Sequence, residues 1–142
     1  RFAQIRDLKK VLRAEAIVYG RLPLMITENC LVQNETGCRL DRQGLCVPED
    51  GPCRCGQPNV LVDRTGAAFP LLPAYGHRTE IQNSKPLYLA DRPEHRRLGL
   101  AYARLRFTTE TAEECVSVVQ NYLDAAPAAG DFTRGLYERG VE

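Results

Sequence analysis

Between residues 30 and 58 the chain carries five cysteines, Cys30, Cys38, Cys46, Cys53 and Cys55, in a stretch broken by Gly37, Gly44, Pro48, Gly51, Pro52, Gly56 and Pro58. A segment so poor in apolar residues and so rich in turn formers has too little surface to bury to order itself. A metal ion, an iron–sulfur cluster or disulfides must supply the missing free energy.

The rest of the chain weighs on that choice. No apolar run approaches the roughly 18 residues of a membrane helix, which argues against a membrane partner. The opening Arg1-Phe2-Ala3-Gln4 is no secretory signal. A chain of 142 residues is one domain of ordinary size that can bury a core without staples, so disulfides are not required. Clustered cysteines then read as metal ligands in a reducing cytoplasm, with oxidation still open for a mature secreted chain. The formal net charge of +1 makes no general case for nucleic acid or anionic membrane.

Phe2, Ile5, Leu8, Val11 and Leu12 recur at helical spacing with no initiating methionine or N-cap before them, as in a piece of a longer protein. Ala16-Ile17-Val18-Tyr19 is apolar on both faces and reads as a buried parallel strand that runs on to Ile26. The cysteine loop follows at the carboxyl end of that strand, where parallel α/β folds collect their ligands. Val60-Leu61-Val62-Asp63 and Ala68-Phe69-Pro70-Leu71-Leu72 flank Arg64-Thr65-Gly66 as a hairpin, with Gly66 at a position suited to positive φ. Glu80-Ile81-Gln82-Asn83 adds a short strand. Residues 91–98 form a charged helix closed by Gly99, and residues 100–107 return to strand. Thr111 and Glu114 make a capping box for a last helix. Its apolar face holds Ala112, Cys115, Val116, Val119, Tyr122 and Leu123, which makes Cys115 a core thiol.

This order of elements is α/β, but it supplies only two clear parallel strands. A (β/α)₈ barrel takes about 250 residues, so the chain would be at most the carboxyl-terminal portion of a barrel-like domain. On this reading residues 1–126 are a partial barrel with a Cys-rich insertion at 30–58 and a β-hairpin, and residues 127–142 are a tail leading out, although Phe132-Thr133-Arg134-Gly135-Leu136-Tyr137 is too aromatic to be pure linker.

Several ordered motifs carry a resemblance. They are Tyr19-Gly20-Arg21-Leu22-Pro23-Leu24-Met25, then Glu28-Asn29-Cys30, then Leu61-Val62-Asp63-Arg64-Thr65-Gly66 with Phe69-Pro70. Ile81-Gln82-Asn83-Ser84 and Pro86-Leu87-Tyr88-Leu89-Ala90-Asp91-Arg92 follow. Together they resemble the collagenase-like peptidase U32 family across residues 19–92. The ending Phe132-Thr133-Arg134-Gly135 with Gly140-Val141 resembles the run-out of one bacterial branch. The resemblance implies a barrel-type enzyme whose amino-terminal part is missing here and would be a partner of this portion. Despite the peptidase name, members of the family hold a four-iron four-sulfur cluster on four cysteines and take part in oxygen-independent hydroxylation of RNA bases or of a quinone precursor.

The resemblance also implies ligands. Cys30 would be the first, Cys38 the second and Cys55 the third, with Cys53 beside it. The fourth normally lies between the Phe-Pro and Asn-Ser elements, where this chain has Tyr75-Gly76-His77-Arg78. A histidine stands where cysteine is expected. Imidazole replaces thiolate on iron in Rieske centres, so His77 is the candidate, with Cys46 or Cys53 as alternates. Three thiolates and one imidazole also suit zinc.

The residues by themselves leave more open. Cys53-Arg54-Cys55 lacks the two-residue spacer of a zinc knuckle. Proteolysis would need Ser84 with His77 or His95, or Cys30 with His77, and no H-E-x-x-H is present. Arg104 and Arg106 alternate with apolar residues on a strand and suit a carboxylate or phosphate ligand, such as RNA or a small carboxylate, unless they are solvated or salt-bridged. His95, Arg96 and Arg97 read as a helix surface. Two classes remain: an iron–sulfur enzyme, with the isolated portion inactive, or a zinc-stapled structural or binding domain.

Overall fold

Glu15 starts a strand whose Ala16, Val18 and Tyr19 are all buried, and that strand organises one of two compact units. The computed structural model describes residues 13–42, 46–47, 51, 53–97 and 99–137. The expected helix over Phe2 to Leu12, Leu98 and the last five residues lie outside them. Residues 13–21 with 85–137 form the first unit and residues 22–84 the second.

In the first unit β1 (Glu15–Gly20) is central. It pairs antiparallel with β8 (Leu87–Tyr88) and parallel with β9 (Tyr102–Leu105), so the sheet order is β8-β1-β9. The parallel pairing of β1 is as expected, but its continuation to Ile26 is not. The strand ends at Gly20, whose φ of +116° turns the chain. A Cβ there would lie 2.0 Å from the carbonyl oxygen of Arg106, while Arg106 N–H donates to Tyr19 O at 2.9 Å. Only glycine lets the two backbones approach so closely.

α2 (Pro93–Arg97) lies within the expected charged helix; it carries His95, whose side chain is not described, and Gly99 beyond it has φ +64°. α3 (Ala112–Asp124) opens with the expected capping box, Thr111 Oγ1 accepting from Glu114 N–H and Glu114 Oε2 accepting from Thr111 N–H. Its rotation differs from the expectation. Val118 and Tyr122 pack against Tyr19, Tyr88 and Ala90, whereas Val116 and Leu123 are 71% and 70% exposed and Cys115 is only half-buried. The Tyr122 hydroxyl decides this: it donates to Val18 O and accepts from Leu89 N–H, pinning that face of the helix to the sheet.

The segment expected to lead out instead packs back as far as residue 137. Thr133 bridges Leu87, donating to Pro86 O and accepting from Tyr88 N–H. Arg134 grips Asp91 with both ends of its guanidinium, at 2.5 and 2.8 Å, and Tyr137 OH donates to Ile17 O. Phe132 and Tyr137 supply the apolar surface that a free tail lacks.

The second unit is an antiparallel sheet, β2 (Pro23–Thr27), β7 (Arg78–Gln82), β6 (Ala68–Ala74) and β5 (Asn59–Val62), in the order β2-β7-β6-β5. Asn83 N–H donating to Leu22 O closes its base. The expected hairpin is β5–β6, and β7 is the expected short strand. Asp63 Oδ1 accepts from Thr65 N–H, Thr65 Oγ1–H and Ala67 N–H, and Gly66 sits at φ +84°. Between β2 and β5 lie α1 (Leu31–Thr36) and a small ribbon of β3 (Arg39–Leu40) with β4 (Cys46–Val47). The architecture is mixed α/β with several sheets and few helices, and no barrel closes among the described residues. No helix among them is long and apolar enough to cross a membrane.

Gly66 has open space around its missing side chain, so Gly66→Val meets only backbone strain of about 1 kcal/mol. Gly20→Ala meets strain and the Arg106 carbonyl together, about 3 kcal/mol or more. Urea denaturation should give Gly20→Ala much the larger loss; equal midpoints would contradict this account.

The Asp91–Arg134 pair sets a pH dependence. Hydrogen bonds from Arg134 hold the Asp91 carboxyl below its usual range against the cost of burial. A depressed carboxyl stabilises the fold above the unfolded value of about 4 and loses that contribution as pH falls through the folded value. Asp91→Asn should therefore cost about 2 kcal/mol at pH 7 and progressively less below pH 4, read from denaturation midpoints across pH.

Candidate metal centre

Among its described residues the second unit buries little hydrocarbon: Val32, Pro70, Leu71 and Ile81, with Thr79 and Gln82. Cys30 and Cys38, at 6% and 3% exposure, are buried beside them. Cys30 occupies the N-cap position of α1, where a serine or aspartate would normally cap the helix. Its side chain makes no capping bond, and its sulfur lies 3.3 Å from that of Cys55. Gly37, in the left-handed conformation at φ +67°, ends α1 and delivers Cys38. Cys46 is on β4. Cys53 precedes, and Cys55 lies within, a turn from Arg54 to Gln57 stitched by Asn59, whose amide donates to Arg54 O at 2.9 Å and Gln57 O at 2.7 Å.

These elements converge. The sulfurs of Cys38, Cys46 and Cys53 lie within 4.8 Å of one another. Cys46 and Cys55 are 3.9 Å apart, which joins the Cys30–Cys55 pair to the trio. All five thiols are free of disulfides. Three thiol ligands close enough to hold one ion are thus in place. Two of them, Cys46 and Cys53, are alternates in the sequence reading; the loop was the signal, but its internal spacing does not say which sulfurs meet. Cys115 belongs to the other unit.

His77 lines an open cleft of about 600 Å³ with Cys30, Cys46 and Cys55. It sits in the β6–β7 turn at φ +58°, an uncommon conformation for a residue with a side chain, next to Gly76 at φ +74°. Arg104 and Arg106 are in the first unit. Arg104 Nε meets Glu15 Oε1 at 2.6 Å on exposed edge strand β9, the salt-bridged alternative, and Arg106 Nη1 donates to Arg21 O at 2.7 Å.

Mutual contact sets the acidity of the thiols. Burial and hydrogen bonds to Cys53 and Cys38 push the Cys46 thiol up to about 11. Burial and Cys30 push Cys55 higher still, while the backbone N–H of Cys55 and the Cys46 thiol lower Cys53. Zinc bound at about 2.3 Å to tetrahedral thiolates sets them about 3.8 Å apart, close to the Cys46–Cys55 separation. A four-iron cluster puts each thiolate on a different iron, so these sulfurs would have to spread to hold one.

No family model, curated protein or solved structure matches the chain.

Cys38→Ser, Cys46→Ser and Cys53→Ser should each weaken metal retention about tenfold or more, and Cys115→Ser should not. Because Cys46 and Cys55 are protonated at neutral pH, metal uptake must displace their protons. Apparent affinity should therefore rise with pH, by up to about tenfold per unit for each thiol, in chelator competition between pH 6.5 and 8. Full retention in all three serine variants would refute the centre.

Proposed function

We propose that residues 22–84 are a metal–thiolate module in a barrel-type enzyme of the peptidase U32 kind. The observation that carries this reading is the convergence of five free cysteine sulfurs, drawn from α1, its exit, β4 and the turn before β5, into one patch. The order of motifs across residues 19–92 supports the family, and the parallel β1–β9 pair suits the carboxyl-terminal portion of a barrel. A missing amino-terminal part of the same protein would complete it. In that setting the module carries a four-iron four-sulfur cluster in a reducing cytoplasm, and the whole protein assists oxygen-independent hydroxylation of RNA or a small aromatic substrate. When bound, the cluster supplies one-electron chemistry. The chain's own residues would hold it: Cys38 with Cys46 and Cys53, which lie close together, and Cys30, Cys55 and His77, which the order of motifs favours, as the further ligands.

A second reading rests on the sulfur separations. At 3.3 and 3.9 Å they suit a single tetrahedral ion better than a cluster, which favours zinc as a structural staple without catalysis.

Metal and sulfide analysis of anaerobically purified protein separates the two. Iron and sulfide in near-equal amounts with a brown colour support the enzyme, whereas one zinc per chain in a colourless sample supports the staple. A protein that takes up neither metal after anaerobic reduction refutes both.

A further inference from the structure

A second site lies in the first unit and does not depend on the metal centre. A cavity of about 500 Å³ opens beside the carboxyl ends of β1 and β9, lined by Tyr19 and Arg21 after one strand and by Thr109 and Glu110 after the other. This volume suits a small organic molecule, and the carboxyl ends of parallel strands are where such molecules bind.

α3 faces the cavity with Glu114, Ser117 and Asn121, spaced three and four residues apart, and leaves Val116, Val119 and Leu123 exposed. Glu114 and Ser117 are exposed and Asn121 is half-buried, so the cavity is an open cleft with a polar helix wall that a ligand can reach from solvent.

The lining states the ligand's charge. Glu110 is fixed from three sides: Oε2 accepts from the N–H groups of Thr108 at 2.7 Å and Thr109 at 3.0 Å, and Oε1 from Tyr19 OH at 3.2 Å. Burial opposes its ionisation, but those donors prevail and keep its pKa below the ordinary value. Glu114 adds a second carboxylate. Asp131 is neutralised by Lys85 at 2.9 Å, which leaves Arg21 as the one cation of the lining against two carboxylates. The rings of Tyr19, Tyr88 and Phe132 complete the wall, and aromatic faces attract cations.

We propose that this cavity binds a small organic cation, a primary ammonium or guanidinium compound, between the aromatic wall and the carboxylates of Glu110 and Glu114.

The chain has no tryptophan, so Tyr19 and Tyr88 make tyrosine emission a direct reporter. The 142-residue protein is titrated with n-butylammonium and agmatine, and with butyrate and 1-butanol as charge controls of similar size. Both cations should give a saturable emission change and a rise in melting temperature, and the controls neither. Glu110→Gln should weaken agmatine about tenfold. Ser117→Leu, which puts a bulkier apolar side chain on the cavity wall without touching the bonds that fix Glu110, should weaken agmatine severalfold while leaving the helical circular dichroism intact. The proposal is overturned if the cations give no saturable change, if butyrate binds as well as they do, or if Ser117→Leu binds agmatine with unchanged affinity.

Discussion

Contact among sulfur atoms is the interaction on which the second unit depends. Its antiparallel sheet has exposed apolar residues on both edges, Leu24, Met25 and Ile26 on β2 and Val60, Leu61 and Val62 on β5. The hydrocarbon it buries is correspondingly small. Among its described residues the segment from α1 to the turn before β5 contributes one buried aliphatic residue, Val32, and its thiols occupy the place of a core. Left metal-free, such a patch is in conflict with itself, since burial and mutual hydrogen bonding keep the Cys46 and Cys55 thiols protonated and unable to pair with a charge. A cation removes that conflict by turning several buried weak donors into strong ligands.

The first unit solves the same problem with hydroxyl groups on aromatic rings. Tyr122 is packed edge-on against Tyr19 and tilted against Tyr88, and its hydroxyl reaches β1 and the residue after β8 at once, through Val18 O and Leu89 N–H. A phenylalanine there would keep the packing and lose the orientation. Because that hydroxyl sets the rotation of α3, it also sets which residues look into the cavity at the ends of β1 and β9. Burial raises the pKa of Tyr19 and Tyr122 well above the usual range, so both phenols stay neutral and remain donors at any physiological pH.

Much of the local structure was legible because it is written in short-range chemistry. The Asp63 to Gly66 turn and the capping box at Thr111 and Glu114 each satisfy their own backbone groups within a few residues, so neighbouring side chains suffice to specify them. The metal centre was legible in part. Five cysteines in a loop without a core announce a ligand-binding patch, but which sulfurs touch depends on how α1, β3–β4 and the Asn59-stitched turn fold together. That is why Cys46 and Cys53, given second rank by motif order, lie with Cys38 in the closest trio. His77 lines the same cleft because a three-residue turn joins β6 to β7, with Gly76 and His77 both at positive φ.

What the sequence alone determined is the set of local elements and the concentration of thiols, since hydrophobic period, caps, turns and ligand chemistry are properties of residues near one another in the chain. Tertiary structure decided the rest. It ended β1 at Gly20 instead of Ile26, because only there does the Arg106 backbone come close enough to forbid a side chain. It turned α3 by Tyr122 against the grain of its apolar stripe, and it folded Phe132, Arg134 and Tyr137 back onto the sheet that a composition of small residues suggested they would leave. Each of these outcomes rests on a contact between residues more than thirty positions apart, and such contacts are set by packing, for which a linear pattern carries no term.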